Sequence, residues 1–189
     1  MATTTAPLVR NGVNVTQLVD TIELIKANPE LAKFTFRAKT DWQEGAHSTT
    51  RIRSFYGAGA EDNSRTRDHL LQGDEPAILL GADSAPNAVE AVLYALASCV
   101  AVGFIYNAAA RGITVRELSI EQEGDLDLHA FLGLSDTLRP GYQGIRFTYH
   151  VKADAPRAQL EELCEYVQKT SPVLDIVRNP VPVTITLAE

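Results

Sequence analysis

The sequence predicts an α+β fold in which antiparallel sheets surround a long apolar helix. Segments with the two-residue period of β-strands occur in pairs, whereas a doubly wound α/β sheet would alternate strands strictly with helices. A stretch of 20 residues, 91–110, contains no charged side chain and has the length of a central helix. Because no repeat and no linker interrupts the chain, we expect residues 1–189 to form a single domain.

The composition of the chain excludes several classes of protein. With 45% hydrophobic and 22% charged residues among 189, it is typical of a soluble globular protein. The net charge of −7 makes nucleic acid and anionic membrane poor partners, because both carry negative charge. Two cysteines are too few for a secreted disulfide scaffold, and the start of the chain, 1–7, lacks the pattern of a signal peptide. We therefore expect a cytoplasmic protein.

The first half of the chain is predicted to contain a helix and a β-hairpin. Apolar residues recur at helical spacing from Val15, and this helix ends at Asn28 because a following proline disfavours helical backbone. Alternation of apolar and polar residues then predicts strands at 34–39 and 48–55. The remaining elements expected before residue 81 are a turn at 42–45, a polar, Gly-rich loop at 56–75 and a short apolar run at 77–80.

The second half begins with the uncharged helix. It opens at Pro86-Asn87 and ends at Arg111-Gly112, a cation followed by a glycine. It is long enough to span a bilayer, but its small and polar residues favour a soluble core. The pair Ser171-Pro172 is typical of a helix start. The other elements expected here are strands at 117–122 and 145–152, an irregular stretch at 124–144, a helix from Pro156 and a last strand at 181–187.

Common catalytic and cofactor motifs are absent from the sequence. It has no Gly-x-Ser-x-Gly elbow, no dinucleotide-binding glycine loop and no phosphate-binding Gly-Lys-Ser/Thr. The four histidines have no metal-ligand spacing with one another or with the cysteines. We therefore expect neither a cofactor nor a metal ion.

Cys99 is the candidate that position alone singles out, and two interpretations of it stay open. Midway along an apolar helix, it is either a small core side chain or a reactive thiol. It lies about three turns from the helix start, too far for the helix dipole to activate it, so a reactive Cys99 needs a cation from another element. Cys164 lies on the apolar stripe of its own helix, where core packing explains it.

The segment 83–99, which ends in Ala97-Ser98-Cys99, resembles the central-helix motif of the OsmC/Ohr family, whose members reduce organic hydroperoxides with a cysteine pair. The early hairpin, the helix end at 109–112 and the segment 171–183 are also similar to that family. The resemblance covers residues 32–187 and leaves 1–30 as an N-terminal helical extension. It implies an intertwined homodimer whose active sites lie at the subunit interface.

The resemblance assigns site residues one at a time, and only the first match is complete. It places the peroxide-attacking cysteine at Cys99. The family's resolving cysteine falls on Ser171, which cannot form a disulfide. The activating glutamate falls on Val89; Glu90, one place later, is nine residues from Cys99 and so on the opposite helix face. No arginine stands at the hairpin tip, and Arg51 and Arg53 are among the arginines nearby that remain accessory candidates.

Two functions follow from these matches. The first is a thiol-dependent peroxidase that reduces organic hydroperoxides through Cys99 alone and is restored by an external thiol. Apolar surroundings favour an organic hydroperoxide, because they bury its tail. The second is a non-catalytic homodimer of the same fold that is associated with the stress response or binds small molecules. The missing resolving thiol and hairpin arginine favour this alternative.

Overall fold

A computed structural model of the chain describes residues 6–188. Residues 1–5, on which the expectation about a signal peptide partly rests, and residue 189 lie outside the described residues. The α-helices are, in chain order, α1 (Val15–Ala27), α2 (Ala88–Ala110), α3 (Leu128–Phe131), α4 (Arg157–Thr170) and α5 (Pro172–Arg178). The strands are β1 (Val9–Arg10), β2 (Val13–Asn14), β3 (Thr35–Phe36), β4 (Lys39–Glu44), β5 (His47–Ile52), β6 (Phe55–Gly57), β7 (Ala60–Asp62), β8 (His69–Gly73), β9 (Val115–Asp125) and β10 (Gly144–Ala153). Short 3-10 helices occupy Pro29–Ala32 and Ala77–Leu79.

The architecture is α+β with antiparallel sheets and one long helix, as the sequence predicts. The sheets of the described residues are β1-β2, β9-β10, β3-β6-β7 and β4-β5-β8, and every pairing in them is antiparallel. The chain divides into two compact units, one made of the residues up to Val15 with those from Leu93 onward, the other of Thr16–Val92. The expectation of a single domain over 1–189 stays a prediction.

The first unit contains the hydrophobic core. Strands β9 and β10 pair so that Ile120 lies opposite Tyr149 and Leu118 opposite Val151, which places apolar side chains on one face. The ring of Tyr149 packs 5.8 Å from that of Phe104 in α2. The buried residues of this core are Leu96, Val100, Phe104, Ala108, Ile113, Leu163, Val167 and Leu174.

Only one stripe of α2 is buried within the chain. The buried residues Leu96, Val100, Phe104 and Ala108 follow one another every four residues and therefore share one helix face. On other faces Tyr94 is 65% exposed and Val102 53%. Among the described residues, α2 alone is long and apolar enough to cross a membrane, judged by length and composition. An apolar helix with one buried stripe needs cover on its remaining faces.

The second unit has little core of its own. Its buried residues, within the described part of the chain, are Thr49, Gly57 and Asp74. An aromatic cluster forms where the ring of Phe36 lies 5.8 Å from that of Phe34 and 5.6 Å from that of Phe55. Phe34 and Phe36 are nevertheless 48% and 69% exposed. The unit therefore presents apolar side chains that a single copy of the chain does not bury.

Most of the predicted elements are confirmed. Helices α1 and α2 begin and end within two residues of their predicted bounds, and α4 and α5 begin within two residues of their predicted starts. Strands β9 and β10 include the strands predicted at 117–122 and 145–152. The predicted hairpin is confirmed only in part. The strand expected at 34–39 falls on β3, which pairs with β6, and on the first residue of β4. The hairpin consists of β4 and β5, and its turn lies at Gly45, which adopts a φ of 57°.

Two further predictions were wrong. The stretch 56–75 is not one loop, because β7, β8 and the end of β6 lie within it. Ala58 and Gly59, with φ of 51° and 85°, form the two-residue turn between β6 and β7. The segment 181–187 belongs to no sheet among the described residues, and Ile185 and Leu187 are 89% and 100% exposed. Its alternating pattern is that of a strand, but a strand forms only where a partner supplies hydrogen bonds.

Candidate active site

Helix α2 is fixed at both ends, which sets the position of Cys99 along it. At its start the backbone N–H of Asn87 donates to Glu90 Oε2 and the N–H of Glu90 donates to Asn87 Oδ1, both at 2.9 Å. This reciprocal pair is a capping box. At its end Gly112 adopts a φ of 80°, and the N–H of Ile113 donates to the carbonyl of Ala108 at 2.9 Å. Such a left-handed glycine stops a helix without strain.

Cys99 is half-buried on the side of α2 that meets the junction of α4 and α5. Its Sγ lies 3.2 Å from the Oγ of Ser171, a residue 72 positions away in the sequence. Ser171 ends α4 and caps α5, and it is 5% exposed. The fold thus brings together two of the five residues that the sequence marked as site candidates.

A cavity of about 450 Å³ opens beside this pair. Its apolar wall comes from α2 and α4, and its polar groups are hydroxyls. Its lining residues are Ser98, Cys99, Val102, Gly103, Val167, Thr170, Ser171 and Pro172. None of these carries a charged side chain. The sulfur therefore borders a space that a small molecule can enter, in surroundings that are mostly apolar.

Gly103 is a lining residue that the sequence analysis missed. It lies four positions after Cys99 and hence on the same face of α2. A Cβ at this position would lie 3.2 Å from Cγ1 of Val167, which is closer than ordinary packing. The absent side chain therefore keeps the cavity open next to the sulfur. A glycine inside an otherwise strong helix pattern was the available signal, since such a glycine usually has a packing reason.

The accessory candidate Glu90 is occupied at the helix start. Its carboxylate accepts the N–H of Asn87 in the capping box, so its role is that of a helix-start charge. On a regular helix, nine residues place it on the face opposite Cys99. The structure therefore does not group Glu90 with the pair formed by Cys99 and Ser171.

The accessory candidates Arg51 and Arg53 have partners of their own. Arg51 donates from Nη1 to Asp41 Oδ2, and Lys39 Nζ lies 3.1 Å from the other oxygen of that carboxylate. Lys39 first, and Arg51 with it, lower the pKa of Asp41. Arg53, which lies beyond the end of β5, donates from Nε to the carbonyl of Arg65 at 3.3 Å.

The second thiol, Cys164, packs against the core and does not line the cavity. Burial, with a smaller contribution from the Glu161 carboxylate, raises the pKa of the Cys164 thiol. Burial and then the nearby Cys164 raise the pKa of Tyr149 to about 12. A thiol whose pKa is raised is a poor nucleophile, which agrees with the core role expected for Cys164.

No group of three or more histidine, cysteine, aspartate or glutamate side chains within residues 6–188 is arranged to hold a metal ion. The hydroxyl, thiol and aliphatic lining of the cavity also lacks the charged or aromatic groups that hold most organic cofactors. What the arrangement offers is one sulfur, one hydroxyl in contact with it, and an apolar space.

Comparison with known proteins relates this arrangement to a family. The family model described as OsmC-like protein matches residues 81–186, which include Cys99 and Ser171. None of the curated proteins matches the chain.

Solved structures share the fold at low sequence identity. An OsmC-like protein from Mycoplasma pneumoniae is 14% identical, with a TM-score of 0.60 over 77% of this chain and 89% of that one. The organic hydroperoxide resistance protein OsmC from Legionella pneumophila is 18% identical, with a TM-score of 0.52 over 76% of this chain and 89% of that one. At such identities the likeness establishes a common fold.

Proposed function

The chain belongs to the OsmC-like protein family, and on that premise we propose that it is a thiol-dependent peroxidase that reduces organic hydroperoxides through Cys99. The observation that carries the proposal is the position of this sulfur. It is half-buried, borders a cavity of about 450 Å³ and contacts a hydroxyl at 3.2 Å. A core cysteine without function would need neither the cavity nor the contact.

The first step is attack of the Cys99 thiolate on the terminal oxygen of the hydroperoxide. An S–O bond forms as the O–O bond breaks, and the alcohol leaves after its alkoxide takes up a proton. The sulfur is oxidised to a sulfenic acid while the hydroperoxide is reduced to the alcohol. Only one sulfur is needed for this half of the reaction.

The second step needs an external thiol. Ser171 has no sulfur, so Cys99 forms no disulfide with the residue that it contacts. A first external thiol condenses with the sulfenic acid to give a mixed disulfide with Cys99 and water. A second external thiol attacks this mixed disulfide, which regenerates the Cys99 thiol and releases the disulfide of the two external thiols. We propose a cytoplasmic location for the protein, where reduced thiols are plentiful.

The cavity lining favours an organic substrate. Val102, Val167 and Pro172 provide apolar surface, and the polar groups in the wall are uncharged. Burial of apolar area contributes roughly 25 cal/mol per Å². An alkyl or aryl hydroperoxide therefore gains binding free energy that hydrogen peroxide does not.

The active form is a homodimer. A single chain exposes 13959 Å² of surface. By contrast, two separate compact units of 112 and 77 residues, the sizes found here, would together expose about 10700 Å². The unburied apolar faces of α2, of the second unit and of the segment 181–187 account for surface that a second copy would cover. Because this cover is protein, α2 needs no lipid around it.

The alternative is a dimer of the same fold that binds small molecules without turning them over. It is favoured by one observation, the absence of any charged residue among those lining the cavity. Glu90, Arg51 and Arg53, which could assist a thiolate, instead contact other partners. A thiol without a cation beside it is in general less ionised.

The two functions differ in turnover with cumene hydroperoxide and a dithiol. We expect the wild type to consume many equivalents of peroxide, and Cys99→Ser to consume none above the uncatalysed rate. Cys164→Ser is the matched control, because it removes the other thiol and leaves the cavity intact; it should retain activity. Equal peroxide loss in the wild type and Cys99→Ser would eliminate the peroxidase and leave the binding dimer.

A further inference from the structure

Ser171 is held in place by the two helices that it joins. Its backbone N–H donates to the carbonyl of Val167 at 2.9 Å, and its own carbonyl accepts the N–H of Asp175 at 3.0 Å. Two helices, α4 and α5, therefore fix its backbone from both sides. With 5% exposure, its side chain has little freedom to turn toward solvent.

The hydrogen-bond partners of the Ser171 hydroxyl are Leu174 and Cys99. A serine hydroxyl has one proton to donate and two lone pairs to accept with. The N–H of Leu174 donates to Oγ at 3.3 Å, which uses one lone pair. The other contact of Oγ is Cys99 Sγ at 3.2 Å. An N–H that donates to a hydroxyl also polarises it, which makes its own proton a better donor.

The two protonation states of Cys99 use this contact differently. A neutral thiol and a hydroxyl exchange roles, since either can donate to the other. A thiolate has no proton, so the hydroxyl alone donates and the bond becomes charge-assisted. Bonds to charged groups are stronger than bonds between neutral ones. The contact therefore favours the ionised sulfur without bringing a cation into the apolar cavity.

We propose that Ser171 is a positioning residue whose hydroxyl, oriented by the N–H of Leu174, donates a hydrogen bond to the thiolate of Cys99 and then to the sulfenate formed from it. The catalytic benefit of this bond rests on the proposed peroxidase function. The bond itself does not, because it concerns the resting sulfur. A serine at this position cannot form a disulfide with Cys99, but it supplies a hydrogen-bond donor to the sulfur.

The test is the pH dependence of Cys99 alkylation by iodoacetamide, measured without peroxide in a Cys164→Ser background so that Cys99 is the sole thiol. Two variants are compared, Ser171→Thr and Ser171→Val. The threonine and valine side chains have nearly the same shape, but only threonine keeps the hydroxyl. We expect Ser171→Thr to retain the wild-type profile. For Ser171→Val we expect the midpoint to move to higher pH and alkylation at neutral pH to slow about tenfold, the equivalent of one lost hydrogen bond to a charged group.

Loss of the α5 cap needs its own control, because valine also leaves the N–H of Leu174 without a partner. Asp127→Ala removes the side-chain cap of α3, which accepts the N–H of His129 at 2.9 Å outside the cavity. It should lower the melting temperature as a lost cap does and leave the alkylation profile unchanged. Identical profiles for folded Ser171→Thr and Ser171→Val would overturn the inference, as would an equal shift in Asp127→Ala.

The result of the alkylation test is independent of the result of the turnover test for the proposed peroxidase. If Cys99 proves unable to turn over hydroperoxide while Ser171→Val still shifts the alkylation profile, the hydrogen bond is established and the peroxidase is not. If turnover is confirmed while Thr and Val at position 171 behave alike, the peroxidase stands and the role of Ser171 is refuted.

Discussion

At the scale of single residues, the proposed chemistry of this protein depends on what surrounds one sulfur. Cys99 lies between a fixed hydroxyl and a glycine, and these neighbours come from different elements. Cys99 itself was predicted from the sequence by resemblance, and Ser171 by the same route. Their contact could not be predicted, because 72 residues separate them and only the packing of α2 against α4 and α5 sets the distance.

Substitution of Gly103 tests the shape of the cavity. In Gly103→Ala the new methyl group lies 3.2 Å from Val167 Cγ1, in the space beside the sulfur. We expect kcat/KM for cumene hydroperoxide to fall about tenfold, the usual effect of one methyl group in a pocket. The value for hydrogen peroxide, which needs little room, should change far less. An equal fall for both substrates would show that Gly103 does not select by size.

At the scale of elements, local signals decided which predictions succeeded. Helix α2 was predicted from its uncharged stretch and its end signals, Pro86-Asn87 and Arg111-Gly112, and α5 from Ser171-Pro172; all of these signals are local in the sequence. Strand β8 was missed because its identity depends on pairing with β5, which no local pattern reveals. The strand expected at 181–187 has the pattern but no partner within the described residues.

The segment that leads into α2 is organised by one buried carboxylate. Asp74 is 3% exposed and accepts hydrogen bonds from the N–H of Glu75 at 2.8 Å and from the N–H and hydroxyl of Ser84 at 3.0 and 2.7 Å. These bonds, those of Ser84 foremost, lower the pKa of Asp74 to about 2. Leu80 and Asp83 adopt φ of 68° and 56°, which are unfavourable without such support.

Replacement of Asp74 should therefore destabilise the protein in a pH-dependent way. Because the folded pKa lies below the ordinary 3.8, the stabilisation is complete above about pH 4 and is lost as the pH falls through about 2. We expect Asp74→Asn to unfold at lower denaturant concentration than the wild type at neutral pH. The difference between the two should shrink between about pH 4 and pH 2. A difference that stays constant over that range would contradict this role for the carboxylate.

At the scale of the whole molecule, the proposed homodimer would cover the exposed apolar surface. Tyr94 and Tyr106 lie on the part of α2 that the chain leaves open, 65% and 47% exposed. We expect the wild type to sediment at about twice its mass of 20.6 kDa. A variant with both Tyr94→Glu and Tyr106→Glu should dissociate, since an unpaired charge is costly in an apolar interface.

A charge reversal on hydrophilic surface is the control for this experiment. Arg157→Glu changes a side chain that is 91% exposed at the start of α4, and it should sediment as the wild type does. A monomeric wild type, or a double variant that remains dimeric while folded, would contradict the assignment of this face to the interface.

The most direct measurement of whether Cys99 attacks peroxide is to trap its sulfenic acid. The protein is mixed with one equivalent of cumene hydroperoxide in the presence of dimedone, and the modified residue is located by mass spectrometry. We expect stoichiometric labelling at Cys99, none at Cys164, and one equivalent of the alcohol formed. An unlabelled Cys99 with the peroxide left intact would contradict the peroxidase assignment.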